Sequence, residues 1–258
     1  MKKLKKEKIL GVNICASPMK DIIRFASKKL RSKTQTVIFT PNPQILLKAQ
    51  NSPTYQKELN SATINLPDGI GIVLASKLRK GKIKNRIGGI DFATKLLLIA
   101  EKQGYRIFLL GAKPNIANKA KRKLKKQYPA LIICGTHHGY FKKNGKENDA
   151  VTKKISLANP DIIFVCLGAP TQEEWIIKNK SSLPNVKLFI GLGGSLDVFA
   201  GNVKRAPKLM QRLGLEWLYR TVKEPKRARI FLDIPVFLFK ILKSKNKHTK
   251  RLSRLRKP

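Results

Sequence analysis

The stretch DIIFVCLGAPTQEEW (161–175) decides the fold. Ile162 to Leu167 is an unbroken apolar run, too short for a helix and without the polar alternation of a half-exposed strand, so it reads as a strand buried on both faces. Gly168 and Pro170 close it. Thr171 and Glu174 then have capping-box spacing, which predicts a helix over 171–179 whose first amides are satisfied by those two side chains. Working outward, the same unit recurs. KILGVNI (8–14), TVIFT (36–40), ATINL (62–66), YRIFLLG (105–111), LIICGT (131–136) and KLFIGLGG (187–194) are short apolar runs, most of them ending at Gly, Pro or Asn. Helical spacing fills the intervals at 43–50, 71–79, 91–103 and 115–127. The alternation predicts an α/β fold, a Rossmann-like, mostly parallel sheet with helices on both faces.

Composition narrows the class. The chain has 258 residues, 42% of them apolar, enough for a substantial core in one large domain or a domain with an appendage. Cys15, Cys134 and Cys166 are far apart with no C-x-x-C spacing, which points to buried, reduced thiols and a cytoplasmic setting. The basic N-terminus has no signal-peptide core, and no apolar run reaches the roughly 18 residues of a spanning helix. Against 15 Asp and Glu stand 55 Lys and Arg, a formal charge of +40. That excess implies an anionic partner, whether nucleic acid, membrane surface or phosphorylated substrate, unless lysine enrichment merely coats solvated faces. A nucleic-acid binder would interleave aromatics on a basic face; here aromatics are 7% and cluster with Leu and Ile, which disfavours nucleic acid as the partner.

The character changes near residue 204. Residues 204–258 hold eighteen Lys or Arg against Glu216, Glu224 and Asp233, with no further strand run. The division expected is therefore a core over 1–203 and a basic, partly apolar helical C-terminal appendage over 204–258. LGLEWLYR (213–220) reads as an amphipathic helix. FLDIPVFLFKILK (231–243) reads as a short apolar segment interrupted by Pro235, too short to cross a bilayer. It either lies in the headgroup layer of an anionic membrane or packs on the domain's own core.

In open α/β sheets ligands bind beyond the carboxyl ends of the strands. The polar residues there are Thr40 and Asn42, Asp68, Gln172, and Gly193, Gly194 and Asp197. Asp68, in LPDGIG (66–71), either caps the following helix or serves as a general base, and Asn42 either caps a helix from Pro43 or faces substrate. GLGGSLD (191–197) departs from the dinucleotide fingerprint at Leu196, so it reads as a tight turn or a backbone seat for phosphate. His137 and His138, adjacent on a strand, should face opposite ways, and there is no D-x-D pair, so no metal site is expected. A leaving diphosphate would then be met by cations, with Arg205, Arg220, Arg227 and Arg229 as candidates.

With these residues placed, the chain closely resembles the WecG/TagA/CpsF family of bacterial glycosyltransferases. TPNP (40–43), LPDGIG (66–71), RIGGIDF (86–92), FLLGAKP (108–114), GTHHGYF (135–141), LGAPTQEEW (167–175), GLGGSLDVFAGNVKRAP (191–207) and LGLEWLYR with KEP (213–225) carry the resemblance. It implies a metal-independent, inverting enzyme, without cofactor, that moves N-acetylmannosamine from its UDP donor to undecaprenyl-diphospho-N-acetylglucosamine. An alternative keeps the fold and changes the donor to UDP-N-acetylmannosaminuronate or a UDP-hexose. By resemblance, Asp68 is the base, with Thr40 and Asn42 orienting the sugars. Arg86, Asp91 and Gln172 lie in the pocket, and Asp197 with Gly193 and Gly194 lies on the nucleotide side. The appendage brings Arg205, Arg220, Arg227 and Arg229 over the site at the inner face of the plasma membrane. A homo-oligomer stays open.

Overall fold

The computed structural model describes residues 3–32, 34–223 and 230–254. Arg227 and Arg229 lie outside them. The strands are β1 (Lys6–Ile9), β2 (Val12–Cys15), β3 (Thr36–Phe39), β4 (Ile64–Asn65), β5 (Arg106–Gly111), β6 (Ile132–His137), β7 (Ile162–Cys166) and β8 (Leu188–Gly191). The helices are α1 (Met19–Leu30), α2 (Pro43–Gln50), α3 (Pro53–Ser61), α4 (Ile70–Leu78), α5 (Gly89–Gln103), α6 (Ile116–Gln127), α7 (Gly145–Ala158), α8 (Thr171–Asn179), α9 (Ser195–Phe199), α10 (Lys208–Arg212), α11 (Glu216–Lys223) and α12 (Ile230–Arg254).

Six strands form one parallel sheet in the order β4-β3-β8-β7-β5-β6. The inner strands β7 and β8 carry no polar side chain and are buried at every position because both faces are covered. On β7, Ile162 and Phe164 enter the core shared with α1, α5, α6 and α9, while Ile163 and Val165 enter the core shared with α2, α3, α7 and α8. The helix after β3 packs on one face and the helix after the adjacent β8 on the other. A cleft opens where such neighbours diverge.

Three local readings are corrected. KILGVNI is not one strand of the sheet but the antiparallel hairpin β1–β2, with Ile9 opposite Val12. Leu10 (φ 44°) and Gly11 (φ 86°) both take positive φ, the turn geometry that matches hairpin twist. Asn60 holds the turn, accepting from Asn13 N and donating to Gly11 O, both at 2.9 Å. The expected capping box is also absent. Pro170 is the N-cap of α8, and the first amides go to main-chain oxygens, Gln172 N to Gly168 O at 2.8 Å and Glu173 N to Pro170 O at 3.0 Å. The third is Pro235, which lies inside α12 rather than interrupting it. Burial of Phe237 and Ile241 against the α2 side of the core outweighs the one lost backbone hydrogen bond.

Part of the apolar C-terminal segment therefore packs on the domain's own core. Phe237 and Ile241 belong to the domain core, whereas Leu232 (70% exposed) and Phe239 (65%) face outward. No helix among the described residues is long and apolar enough to cross a membrane.

Candidate active site

The cleft is built where β3, β4 and β8 end. Asn42 and Pro43 enter from the loop after β3, Asp68 and Gly69 from the loop after β4, and Leu192, Gly194 and Ser195 from the turn after β8. Residues from 203 onward roof it, with Lys204, Arg205, Glu216, Trp217, Arg220 and Ile234 reaching the same space of about 180 Å³. The first residues of α2, α4 and α5 line it too, so three positive helix ends converge there.

Backbone contacts aim Asp68. Its N–H donates to Pro41 O (3.1 Å) and Leu66 O (2.9 Å), and Ile87 N donates to Pro67 O at 2.9 Å, so the loop is held between its neighbours. Gly69 takes φ 94°, a value only glycine adopts without strain, and it rather than Asp68 is the N-cap of α4. The capping reading of Asp68 is thereby excluded. The carboxylate instead turns to the start of α5, where Gly88 has no side chain to cap with and Gly89 N donates to Asp68 Oδ2 at 3.4 Å. Burial pushes the Asp68 carboxyl up to about 6; the Arg86 charge and the Gly89 hydrogen bond oppose that rise and do not cancel it.

Asn42 does cap α2, its Oδ1 accepting from Ile45 N at 3.0 Å, and it also lines the cleft. The cap uses only the amide oxygen, so the amide nitrogen is not needed for it.

A ring of four charges joins the roof to the sheet. Arg205 meets Asp91 at 2.6 Å and grips Glu216 with Nε and Nη2, each at 3.1 Å. Arg86 reaches Glu216 at 3.3 Å and Asp91 at 3.6 Å. Burial pushes the Glu216 carboxyl up, but the hydrogen bonds and charges of Arg205 and Arg86 outweigh it and hold the group below the usual carboxylate range. Arg205 is correspondingly held protonated: burial works against its charge, and the two carboxylates outweigh burial.

Of the residues expected at the site, Asn42, Asp68, Arg86, Gly194, Arg205 and Arg220 line the cleft. Asp91 stands behind it as the partner of two arginines. Thr40 is buried beneath, its hydroxyl donating to Gly191 O at 2.9 Å, and so braces the end of β8. Gln172 is buried and accepts from Gly193 N at 2.8 Å. Asp197 sits half-exposed in α9, outside the cleft wall, its carbonyl receiving Asn202 N and Val203 N. His137 and His138 do not face opposite ways; their rings lie 4.5 Å apart because His138 is already past the end of β6. Among the described residues no three His, Cys, Asp or Glu side chains are grouped to hold a metal.

Glu216, Lys204 and Trp217 were not anticipated. Glu216 carried a usable signal, the same one that picks out Asp68: an isolated acid in a strongly cationic stretch.

Residues 7–251 match the Glycosyl transferase WecG/TagA/CpsF family. The chain belongs to this family. Over 218 residues, 84% of this chain and 83% of the relative, it is 43% identical to a Bacillus subtilis (strain 168) protein named N-acetylglucosaminyldiphosphoundecaprenol N-acetyl-beta-D-mannosaminyltransferase. Over 244 residues, 93% of each chain, it is 37% identical to a protein of the same name from Staphylococcus aureus (strain MRSA252). For a WecG/TagA/CpsF glycosyltransferase the cleft has suitable chemistry. A carboxylate with a raised pKa can take a proton from a hydroxyl, and Arg86, Lys204, Arg205 and Arg220 line the same cleft.

Proposed function

We propose that the protein transfers N-acetylmannosamine from its UDP donor to the 4-hydroxyl of undecaprenyl-diphospho-N-acetylglucosamine, with inversion and without a metal ion. The observation that carries this reading is Asp68, half-buried at the cleft floor with its pKa pushed up to about 6. Such a carboxylate is a better base than an ordinary aspartate and is still largely ionised at neutral pH. The names of the relatives support the donor sugar and the lipid-linked acceptor.

In this reading Asp68 takes the acceptor proton as the hydroxyl attacks the anomeric carbon from the face opposite the nucleotide, in one displacement that inverts the centre. Negative charge then builds on the departing UDP. Arg86, Lys204, Arg205 and Arg220 and the ends of α2, α4 and α5 answer it. The glycine turn after β8 seats the nucleotide side. Glu216 keeps the arginines aligned before substrate enters.

Residues 204–258 form the appendage that meets the membrane. The outward Leu232 and Phe239 of α12, with Lys240 and Lys243 beside them, suit insertion among anionic headgroups on the inner face of the plasma membrane. The test is product analysis with Asp68→Asn and the parent enzyme, using UDP-N-acetylmannosamine and a short-chain acceptor in the presence of EDTA. The parent should form a β-linked disaccharide lipid and the variant should not. Parent activity lost to EDTA and restored by a divalent ion would overturn the metal-free mechanism, and undiminished Asp68→Asn activity would overturn the base.

A further inference from the structure

Behind the glycine turn runs a buried polar chain that neither the cleft nor the charge ring uses. At its centre is Glu173 of α8, fully buried. Its Oε2 accepts from the Tyr55 hydroxyl of α3 at 3.0 Å, and its Oε1 accepts from Gln172 Nε2 at 2.7 Å. With its nitrogen so engaged, Gln172 presents Oε1 to the N–H of Gly193 at 2.8 Å. Gly193 opens the turn in left-handed conformation (φ 54°), and the next two residues, Gly194 and Ser195, are cleft wall.

The two ends of a glutamine amide are nearly the same size and opposite in hydrogen-bonding sense. Turned over, Gln172 would set its NH2 against the Gly193 N–H, donor to donor, and would leave that part-buried amide without this partner. An acceptor fixed at the other end locks the direction that the Gly193 N–H favours, and Glu173 is that acceptor. Burial pushes its carboxyl up to about 7, but the direction survives titration. A protonated Glu173 can give its hydrogen to the Tyr55 oxygen and still accept from Gln172.

We propose that Glu173 is a positioning residue for the donor side of the site, acting through Gln172 to hold the Gly193–Ser195 turn in the conformation that receives the nucleotide. This rests on the reading of that turn as the nucleotide seat.

The experiment compares Glu173→Met, which fills the volume without an acceptor, with Glu173→Gln, which keeps a carbonyl for Gln172 and an NH2 for Tyr55. Gln172→Leu removes the last link while leaving Glu173 in place, and covers the case in which Glu173→Met fails to fold. Amide exchange across 189–196 is measured beside KM for UDP-sugar, KM for acceptor, kcat and the melting temperature. Glu173→Met and Gln172→Leu should speed exchange at Gly193 by about tenfold and raise the donor KM by about fivefold, while acceptor KM and kcat stay within about twofold. Glu173→Gln should restore both. Unchanged exchange in a folded Glu173→Met or Gln172→Leu protein, or a Glu173→Gln as impaired as Glu173→Met, overturns the relay. Faster exchange with only the acceptor KM raised overturns the assignment of the turn to the donor and leaves the relay standing.

Discussion

The loop that carries Asp68 and the helices that roof it face each other across one cleft, yet they are held by different forces. Asp68 is fixed from behind by backbone hydrogen bonds to Pro41 and Leu66, in a turn that depends on Gly69. Among the described residues the roof is held largely through side chains: the pairs of Arg205 and Arg86 with Asp91 and Glu216, and farther on Phe237 and Ile241 sunk in the core. Backbone bonds leave the Asp68 loop little freedom. Ion pairs are strong only while both partners stay paired and dry, so in the proposed reading an incoming diphosphate would compete for the arginines. The floor is thus held by main-chain bonds and the roof by charge pairing.

Substitutions that break this contrast should differ in size. Asp68→Asn should cost the most, about 10²–10⁴-fold in kcat. In the parent, kcat/KM should fall as pH drops through about 6, where Asp68 takes up its proton. The stability effect has the opposite sign. The folded chain binds that proton more tightly than the unfolded one, so stability linked to Asp68 is present at low pH and is lost as pH rises through about 6. Asparagine cannot ionise, so the variant should be more stable than the parent above pH 6, by about 1–3 kcal/mol in denaturant melts.

Phe237→Ala comes next, at about 3–5 kcal/mol of stability, because the side chain is fully buried where α12 meets the core. A much smaller loss in melts would mean that the C-terminal helix is merely tethered. Leu232→Asp with Phe239→Asp should leave the fold intact and spare turnover of a soluble short-chain acceptor, while cutting turnover of vesicle-embedded acceptor by about tenfold or more. Equal loss on both acceptors would show that these side chains serve the cleft rather than a membrane. The smallest effect belongs to Thr171→Ala, within about 0.5 kcal/mol, since the Thr171 side chain caps nothing.

The fold was legible because its determinants are local. Six-residue apolar runs closed by Gly or Pro cannot be helices, and alternation with amphipathic stretches leaves few topologies. The hairpin was misread for a local reason also: Leu10-Gly11 looks like part of an apolar run until both φ values are known. The site was legible as a set of rim positions but not as contacts. Asp68 and Asn42 follow strands, and that alone put them on the rim. Thr40 follows a strand too, yet its hydroxyl is turned under the cleft to Gly191, a matter of register between β3 and β8. Glu173 looked like an ordinary acid in a first helical turn, and its burial depends on α3 lying alongside α8.

From residue order alone follow the parallel α/β sheet, the rim that bears the carboxylate, and a cationic, partly apolar C-terminus, because periodicity, turn residues and charge are properties of neighbours in the chain. Tertiary structure alone decided that Glu216 stands between Arg86 and Arg205, that burial lifts the Asp68 pKa, and that Phe237 and Ile241 of the apolar C-terminal segment are core. Those outcomes turn on distances and desolvation among groups as many as 130 residues apart in sequence, which no local pattern encodes.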